Sequence, residues 1–208
     1  MGSSLDAELV TAYRNGNKRA GEQLADRYFG RVLNFCRSKA PSAATDIAQH
    51  SFMACFAGLD KLRDPASFRS FLFAIVCNQI RMHYRRGRVE GERLDFGTVS
   101  SADLDPSPSQ IIARGAEQRL LLAGLRRIPM QYQIVLELFY WEEMRAQDIA
   151  EVLEIPLGTA KTRILRGREL LQEALAKLDA PGSVLESTVT NLEDWARRLR
   201  DDNANAPG

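Results

Sequence analysis

The sequence predicts an all-α protein of two small helical domains joined by a flexible acidic linker, with a helix-turn-helix in the second domain. Apolar residues recur every three to four positions over most of the chain, which indicates amphipathic helices. No segment has the strict alternation of a half-buried strand, and a polar, acidic stretch separates two helical stretches. We expect domains at 1–87 and 107–179, a linker at 88–106, and an extension at 180–208.

Composition excludes several classes of protein. The 208 residues are 45% hydrophobic and 26% charged, which is typical of a globular chain and not of a disordered one. An odd set of 3 cysteines without a CxxC pair, and only 2 histidines, argue against disulfides, metal sites and histidine catalysis, so we expect no metal and no cofactor. No apolar run approaches the ~18–20 residues that span a bilayer. We therefore expect a cytoplasmic protein without membrane insertion.

The first domain consists of successive helical stretches. Leu24, Tyr28 and Val32 form one apolar face of a helix. The pair Asp64-Pro65 interrupts the pattern, and Ser67 then opens a long apolar helix that ends in a basic run. Gly87 follows as a C-terminal stop, with arginines in the last turn where the helix dipole favours them.

The second domain begins after the linker. Ser107, Pro108 and Gln110 have the N-cap, N1 and N3 residue types of a capping box and predict a helix start there. Further helices are predicted from Pro129, at 147–153 and at 157–178. In the extension, Thr190 and Glu193 form a second capping box before a short amphipathic helix.

Residues 147–163 have the pattern of a helix-turn-helix. Ile149, Ala150 and Leu153 face inward on the first helix, and the second helix has a small and apolar inner face. The opposite face of the second helix is polar and cationic, as a helix in the DNA major groove requires. A packed helical hairpin with a solvated outer face is the alternative interpretation.

The long helix of the first domain combines aromatic residues with a basic end. Aromatic rings beside arginines suit single-stranded, unstacked bases. Core packing is the better explanation for Phe68 and Phe71, whereas a buried amide at Asn78 would need hydrogen-bond partners.

Over residues 5–178 the chain resembles a bacterial extracytoplasmic-function (group IV) sigma factor of RNA polymerase. The resemblance is carried by Asp46-Ile47-Ala48-Gln49-His50-Ser51-Phe52, by the run from Phe68 to Asn78, by the helix from Pro129, and by the helix-turn-helix, all in the family's order. It implies a fold of two helical domains with a short linker that threads the polymerase toward the RNA exit channel.

The resemblance also implies roles for individual residues. Those expected to contact core polymerase are Asp46, Ile47, Gln49, His50, Ser51 and Phe52. Those expected to capture the melted −10 element are Leu62, Arg63, Asp64, Pro65, Ala66, Ser67, Phe68, Asn78, Arg81 and Arg85. Those expected to read the −35 duplex are Thr159, Lys161, Thr162, Arg163, Leu165, Arg166 and Arg168.

The sequence departs from the family pattern at two informative positions. The family carries acids before Asp46, but here the run is Ala43-Ala44-Thr45. Phosphorylation of Thr45 by a Ser/Thr kinase would restore about −1.5 to −2 of charge and is one hypothesis; a less acidic interface is the alternative. Glu154 replaces the usual turn glycine, at a cost of roughly 1 kcal/mol if that residue requires a positive φ.

The expected function is therefore that of a promoter-specificity subunit, not an enzyme. Its partners would be core polymerase, through the β′ clamp helices and the β flap, and promoter DNA. Its activity would be restrained by an anti-sigma protein, by the extension, or by the phosphorylation state of Thr45, whose phosphorylated form would permit polymerase docking. The alternative is a stand-alone helix-turn-helix regulator. Catalysis is disfavoured because the acids Glu142 and Glu143 are adjacent and diverge by about 100° on a helix.

Overall fold

The structure is a computed structural model that describes residues 2–86, 95–105 and 116–178. The predicted all-α class is confirmed, since these residues form helices and an isolated bridge between Ser100 and Pro129 but no strand. The helices are α1 (Gly2–Arg14), α2 (Lys18–Arg37), α3 (Ala44–Gly58), α4 (Phe68–Arg86), α5 (Ser101–Leu104), α6 (Ala116–Arg127), α7 (Met130–Tyr140), α8 (Ala146–Leu153) and α9 (Leu157–Ala176). None of these described helices has both the length and the apolar composition needed to cross a membrane.

The N-terminal unit comprises α1 to α4. The predicted apolar stripe of Leu24, Tyr28 and Val32 is buried between α2 and its neighbours. Asp64 ends the preceding segment and caps a 3-10 turn at Pro65–Ser67, because its carboxylate accepts hydrogen bonds from the Ala66 N–H at 3.0 Å and the Ser67 hydroxyl at 3.2 Å. Helix α4 then begins one residue after the predicted start.

The C-terminal unit comprises α6 to α9, with α7 at its centre. Helix α7 is apolar on most of its circumference, which is the pattern of a helix buried on several sides. Leu136 on one side packs with residues of α6 and α9 into a local core. Ile134 and Leu138 belong to a second core that also contains α4 residues such as Val76. The two units therefore share a hydrophobic core.

Residues 95–105 of the predicted linker include a short helix and are hydrogen-bonded to both units. Ser100 and Asp103 form a capping box that starts α5. The Asp105 carboxylate accepts hydrogen bonds from the N–H and the hydroxyl of Ser42, at 3.0 and 2.7 Å. On the other side, the Met130 N–H donates to the carbonyl of Val99 at 2.9 Å. Of the acidic side chains of this segment, Asp103 caps α5 and Asp105 binds the N-terminal unit, whereas the backbone at Val99 binds the C-terminal unit.

Some predictions concern residues outside those described. They are the stop at Gly87, the helix start at Ser107, Pro108 and Gln110, and the amphipathic helix from Thr190.

Candidate nucleic-acid interface

Helices α8 and α9 are joined by the tight turn of a helix-turn-helix. Glu154 lies in the left-handed region, at φ 55° and ψ 45°, so this position does require a positive φ. The N–H of Ile155 donates to the carbonyl of Ala150 at 3.0 Å and closes the end of α8. Inward packing is as predicted: Ile149, Ala150 and Leu153 are buried on α8, and Ala160, Ile164 and Gly167 are buried on α9.

The opposite face of α9 carries the predicted −35 residues. Exposed side chains from this set are Lys161, Thr162, Leu165, Arg166 and Arg168, whereas Thr159 and Arg163 are half-buried. Leu165 is 62% exposed and adds one apolar side chain to this face. The face is therefore a cationic and polar surface with one apolar contact point.

Two arginines of this surface already have charged neighbours. Arg166 forms exposed ion pairs with Glu169 at 2.8 Å and Glu173 at 3.6 Å, which water screens. Burial lowers the pKa of Arg163, and the positive charge of Arg81 on α4 lowers it further. Helices α4 and α9 thus bring two like charges within electrostatic reach of each other.

The predicted base-capture loop is divided between contact and anchoring residues. Arg63, Asp64 and Ala66 are exposed, and Pro65 and Ser67 are half-buried. The two ends of the loop, Leu62 and Phe68, are buried in the core, Phe68 completely. These two residues of the predicted −10 set therefore anchor the loop, and their contact with a base stays a prediction.

Sequence reasoning missed the residue that holds this loop in place. Arg14, at the end of α1, donates to the carbonyl of Leu59 through Nε at 3.2 Å and through a terminal nitrogen at 2.5 Å. The same terminal nitrogen also donates to the carbonyl of Leu62. In the sequence, Arg14 is one arginine at the end of an N-terminal helix, and no pattern around it predicts its contact with these two carbonyls.

Along α4 the aromatic residues and the polar residues separate. Phe68 and Phe73 are buried, which favours core packing over base stacking for them. Asn78 is exposed, and its side-chain oxygen accepts a hydrogen bond from Arg81 at 3.1 Å. Arg85 is exposed as well. The polar part of the predicted −10 surface on α4 is thus Asn78, Arg81 and Arg85.

The predicted polymerase-contact helix α3 has one buried and one exposed face. The buried members of the predicted set are Ile47, Ser51 and Phe52, which pack inside the N-terminal unit. Asp46, Gln49 and His50 are exposed. Met53, which was not predicted, continues this face and is 69% exposed. The i, i+3, i+4, i+7 spacing of positions 46, 49, 50 and 53 could have identified it.

A buried polar cluster joins the two units, and we call Ser38, Lys39, Gln133 and Glu137 the interunit cluster. Lys39 Nζ lies 2.6 Å from Glu137 Oε2. The Ser38 hydroxyl donates to the same carboxylate at 2.9 and 3.0 Å. Gln133 Nε2 donates to Glu137 Oε1 at 2.9 Å and to the Ser38 carbonyl at 3.2 Å. The sequence signal for this cluster was an acid inside the apolar run of α7.

A second ion pair lies beside the interunit cluster. A terminal nitrogen of Arg31 on α2 is 2.7 Å from Glu142, which follows α7. Burial raises the pKa of Glu142, and the arginine opposes that shift. Within the described ranges, no group of three or more His, Cys, Asp or Glu side chains is arranged to hold a metal ion.

Comparison with family models assigns both units. The model for sigma-70 region 2 matches residues 24–89, and the model for sigma-70 region 4 matches residues 118–171. These matches cover α2 to α4 of the N-terminal unit and most of the C-terminal unit.

Curated relatives match nearly the whole chain. The RNA polymerase sigma-H factor of Pseudomonas aeruginosa is 29% identical over 83% of this chain and 95% of its own length. The ECF RNA polymerase sigma factor SigW of Bacillus subtilis is 28% identical over 81% and 96%. A probable RNA polymerase sigma factor, RfaY, of Xanthomonas campestris is 30% identical over 78% of this chain, which spans only 46% of that relative.

A solved structure has the same fold. CnrH, in complex with the cytosolic domain of CnrY, superimposes with a TM-score of 0.59 and 25% identity, over 85% of this chain and 99% of that one. Three findings agree: the chain has both sigma regions in the family's order, sigma-factor relatives match most of the chain, and a solved sigma-factor structure has its fold. The chain is an RNA polymerase sigma factor and belongs to the extracytoplasmic-function (group IV) family.

Proposed function

We propose that this sigma factor positions core polymerase by reading the −35 duplex with α9 and by holding the melted −10 strand with the 62–68 loop and α4. The observation that carries the proposal is the division of α9 into a buried inner face and an exposed cationic outer face. The alternative of a stand-alone regulator is not favoured, because region 2 accompanies region 4.

The outer face of α9 suits a major groove chemically. Arginine can donate to the two acceptors on a guanine edge, and a threonine methyl or Leu165 can contact a thymine methyl. The remaining cations neutralise DNA phosphates. The logarithm of the binding constant then falls with the logarithm of the salt concentration, with a slope of about 0.9 for each phosphate contact. Arg166 must exchange its exposed pairs with Glu169 and Glu173 for DNA contacts, which costs little because water already screens them.

For the −10 element, the exposed members of the predicted set can contact DNA directly. Arg63, Asp64 and Ala66 at the tip of the loop, together with the polar residues of α4, remain available to unpaired bases and their phosphates. A stretch of unpaired DNA needs a cationic track and hydrogen-bond partners for splayed bases. The buried Leu62 and Phe68 would fix both ends of the loop at the required separation.

Polymerase contact is assigned to the exposed face of α3. Asp46, Gln49, His50 and Met53 would meet the β′ clamp helices, with an apolar methionine beside polar groups as in many interface cores. The C-terminal unit would meet the β flap. We further propose that the protein has no catalytic activity of its own and acts in the cytoplasm, as the family does.

Run-off transcription with core polymerase, on a fragment carrying the upstream region of this protein's gene, tests the proposal. Lys161→Ala should remove one phosphate contact. The slope of the log binding constant against log salt concentration for promoter binding should therefore become shallower by about 0.9. Gln172→Ala, an exposed change further along α9, is the matched control and should change nothing. Since a silent template could simply lack the promoter, a core-binding pull-down accompanies the assay. Failure of both, with duplex binding retained, would instead support the stand-alone regulator.

Phosphorylation of Thr45 remains a proposal about regulation. Thr45 is exposed in the first turn of α3, where a negative charge interacts favourably with the helix dipole. The phosphate would add charge next to Asp46 on the proposed polymerase surface. Thr45→Glu should then bind core polymerase more tightly than Thr45→Ala. Equal binding of the unmodified protein and Thr45→Glu would refute this regulation.

Two restraints are also proposed, an anti-sigma protein and the C-terminal extension, and a deletion tests the second. An anti-sigma protein is expected by analogy with the CnrH complex, which contains the cytosolic domain of CnrY. The extension over 180–208 would either dock on the protein or extend polymerase contacts. Deletion of residues 181–208 should change the yield of promoter transcript, and an unchanged yield would remove the extension from regulation.

A further inference from the structure

Helix α4 has an exposed methionine in the middle of its polar face. Met82 is 41% exposed, and it is the one large apolar side chain of the described part of α4 that is exposed. Around the helix axis it lies within about 60° of Asn78 and of Arg85, which are both exposed. Buried residues of α4 such as Leu72 and Val76 lie on another side of the helix. Met82 belongs to neither hydrophobic core, so packing of the fold does not account for an apolar residue there.

The groups on this face follow one another along the helix axis. The 62–68 loop lies at the N-terminal end of α4, followed by Asn78, then Met82, and then Arg85 in the last turn. At 1.5 Å per residue, Met82 lies about 21 Å beyond Phe68 and about 6 Å beyond Asn78. Arg85 follows Met82 after about 4.5 Å. A DNA strand laid along α4 would therefore meet the loop, the amide, the thioether and the guanidinium in turn.

The two ends of this face suit different forms of DNA. The Asn78 side-chain oxygen accepts a hydrogen bond from Arg81 at 3.1 Å, and its amide nitrogen can donate to an unpaired base, as the loop can. Arg85 suits phosphates, which follow one another about every 1.7 Å in a duplex and about every 3.4 Å in a single strand. Met82 lies between these two parts, where paired DNA would give way to unpaired DNA.

A methionine at such a boundary has the chemistry of a wedge. Apolar side chains that enter a base step separate the stacked bases, and methionine is one of the residues that proteins use for this. Its unbranched chain fits irregular gaps, and its polarisable sulfur packs favourably against aromatic rings. Hydrogen-bonding and cationic groups on either side of Met82 would hold the strand while the thioether is against a base.

We propose that Met82 is a strand-separating wedge, whose thioether packs on the face of the last paired base at the upstream edge of the melted −10 element. The inference rests on the proposed −10 role of α4, and it adds the residue that keeps the paired bases from closing over the unpaired ones.

Two templates of the same sequence distinguish strand separation from strand binding. One is fully paired, and the other has a mismatched −10 segment that is permanently open. Their sequence is one that the holoenzyme of the unaltered chain retains from a random duplex pool, so the test does not depend on a known promoter. A fluorescent adenine analogue in the −10 segment reports opening of the paired template, and competition binding reports affinity for the open one.

Three variants of the full-length chain are compared as holoenzymes. Met82→Gln keeps the length of the side chain but places an amide at its end. Met82→Leu keeps the side chain apolar. Leu5→Gln is the matched control, because Leu5 on α1 is 43% exposed and the change removes a similar apolar side chain far from the proposed DNA surfaces in sequence.

On the paired template, Met82→Gln should open the DNA roughly three- to eightfold more slowly than the control. This range is the share of the transfer free energy of a methionine side chain that corresponds to its 41% exposure, converted to a rate. On the open template its affinity should equal that of the control within about twofold, as for other surface substitutions. Met82→Leu should open the paired template at a rate within about twofold of the unaltered chain.

Each other outcome contradicts a different part of the reasoning. Equal opening rates for Met82→Gln and Leu5→Gln would overturn the wedge. Slower opening with an equal loss of affinity for the open template would also overturn it, because Met82 would then bind the unpaired strand. A holoenzyme of the unaltered chain that retains no template would contradict the proposed function itself. Thermal unfolding checks the fold, and Met82→Gln should have the Tm of the control because Met82 lies outside both cores.

Discussion

Arg14 offers a direct test of how the proposed base-capture loop is held. Its guanidinium donates to the carbonyl of Leu59, which precedes the loop, and to the carbonyl of Leu62, which begins it. Hydrogen bonds to charged groups contribute about 1.5–3 kcal/mol each, and water can partly replace them at this half-buried site. We therefore expect Arg14→Ala to lower the free energy of unfolding by about 3 kcal/mol. For a chain of this size that corresponds to a Tm lower by roughly 6–12 °C.

Thermal unfolding followed by circular dichroism measures this change, with Arg19→Ala as the control because Arg19 is an exposed arginine near the start of α2. Binding of single-stranded −10 DNA by the holoenzyme should weaken in Arg14→Ala, while contact with a −35 duplex should not. A Tm within about 2 °C of the Arg19→Ala value would refute the reasoning that these hydrogen bonds hold the loop.

Three further predictions concern local structure. Glu154→Gly should raise the denaturant midpoint, equivalent to about 0.5–1 kcal/mol, because glycine adopts φ 55° without the strain of an L side chain; a lower midpoint would contradict this. Ser100→Ala should cost about 1 kcal/mol and speed amide exchange in α5, since it removes one half of a capping box; unchanged exchange would show that α5 does not depend on the cap. The buried thiols of Cys36, Cys55 and Cys77 should react with maleimide at pH 8 about a hundredfold more slowly than in denatured protein, because burial raises the pKa of each, that of Cys77 to about 11. The folded protein keeps these protons above pH 9, where the unfolded chain releases them, so the free energy of unfolding should fall as the pH rises from 9 to 11.

Periodicity in the sequence predicted those elements whose contacts are local. The inner faces of α8 and α9 follow from helical spacing alone, and the strained turn at Glu154 follows from comparison with a family that has glycine there. The start of α4 after Asp64-Pro65 follows from turn chemistry. In each case the residues that determine the structure are within a few positions of one another.

Long-range contacts could not be predicted in this way. Lys39 and Glu137 are separated by 98 positions, and neither residue has a neighbour in sequence that indicates its partner. The same holds for Arg14 and Leu59, which are 45 positions apart. For the proposed sites, the family resemblance identified positions along a helix, but it did not show which of them are buried and which are exposed. Burial then separated Asp46 and Gln49 from Ile47 and Ser51.

Helix α7 has a consequence for how the two units unfold. One side of it packs within its own unit, and the other, with Ile134 and Leu138, contributes to the shared core. A helix that belongs to two cores cannot leave one of them without disturbing the other. We therefore expect the two units to lose their structure together in one cooperative transition, although each matches a separate sigma region.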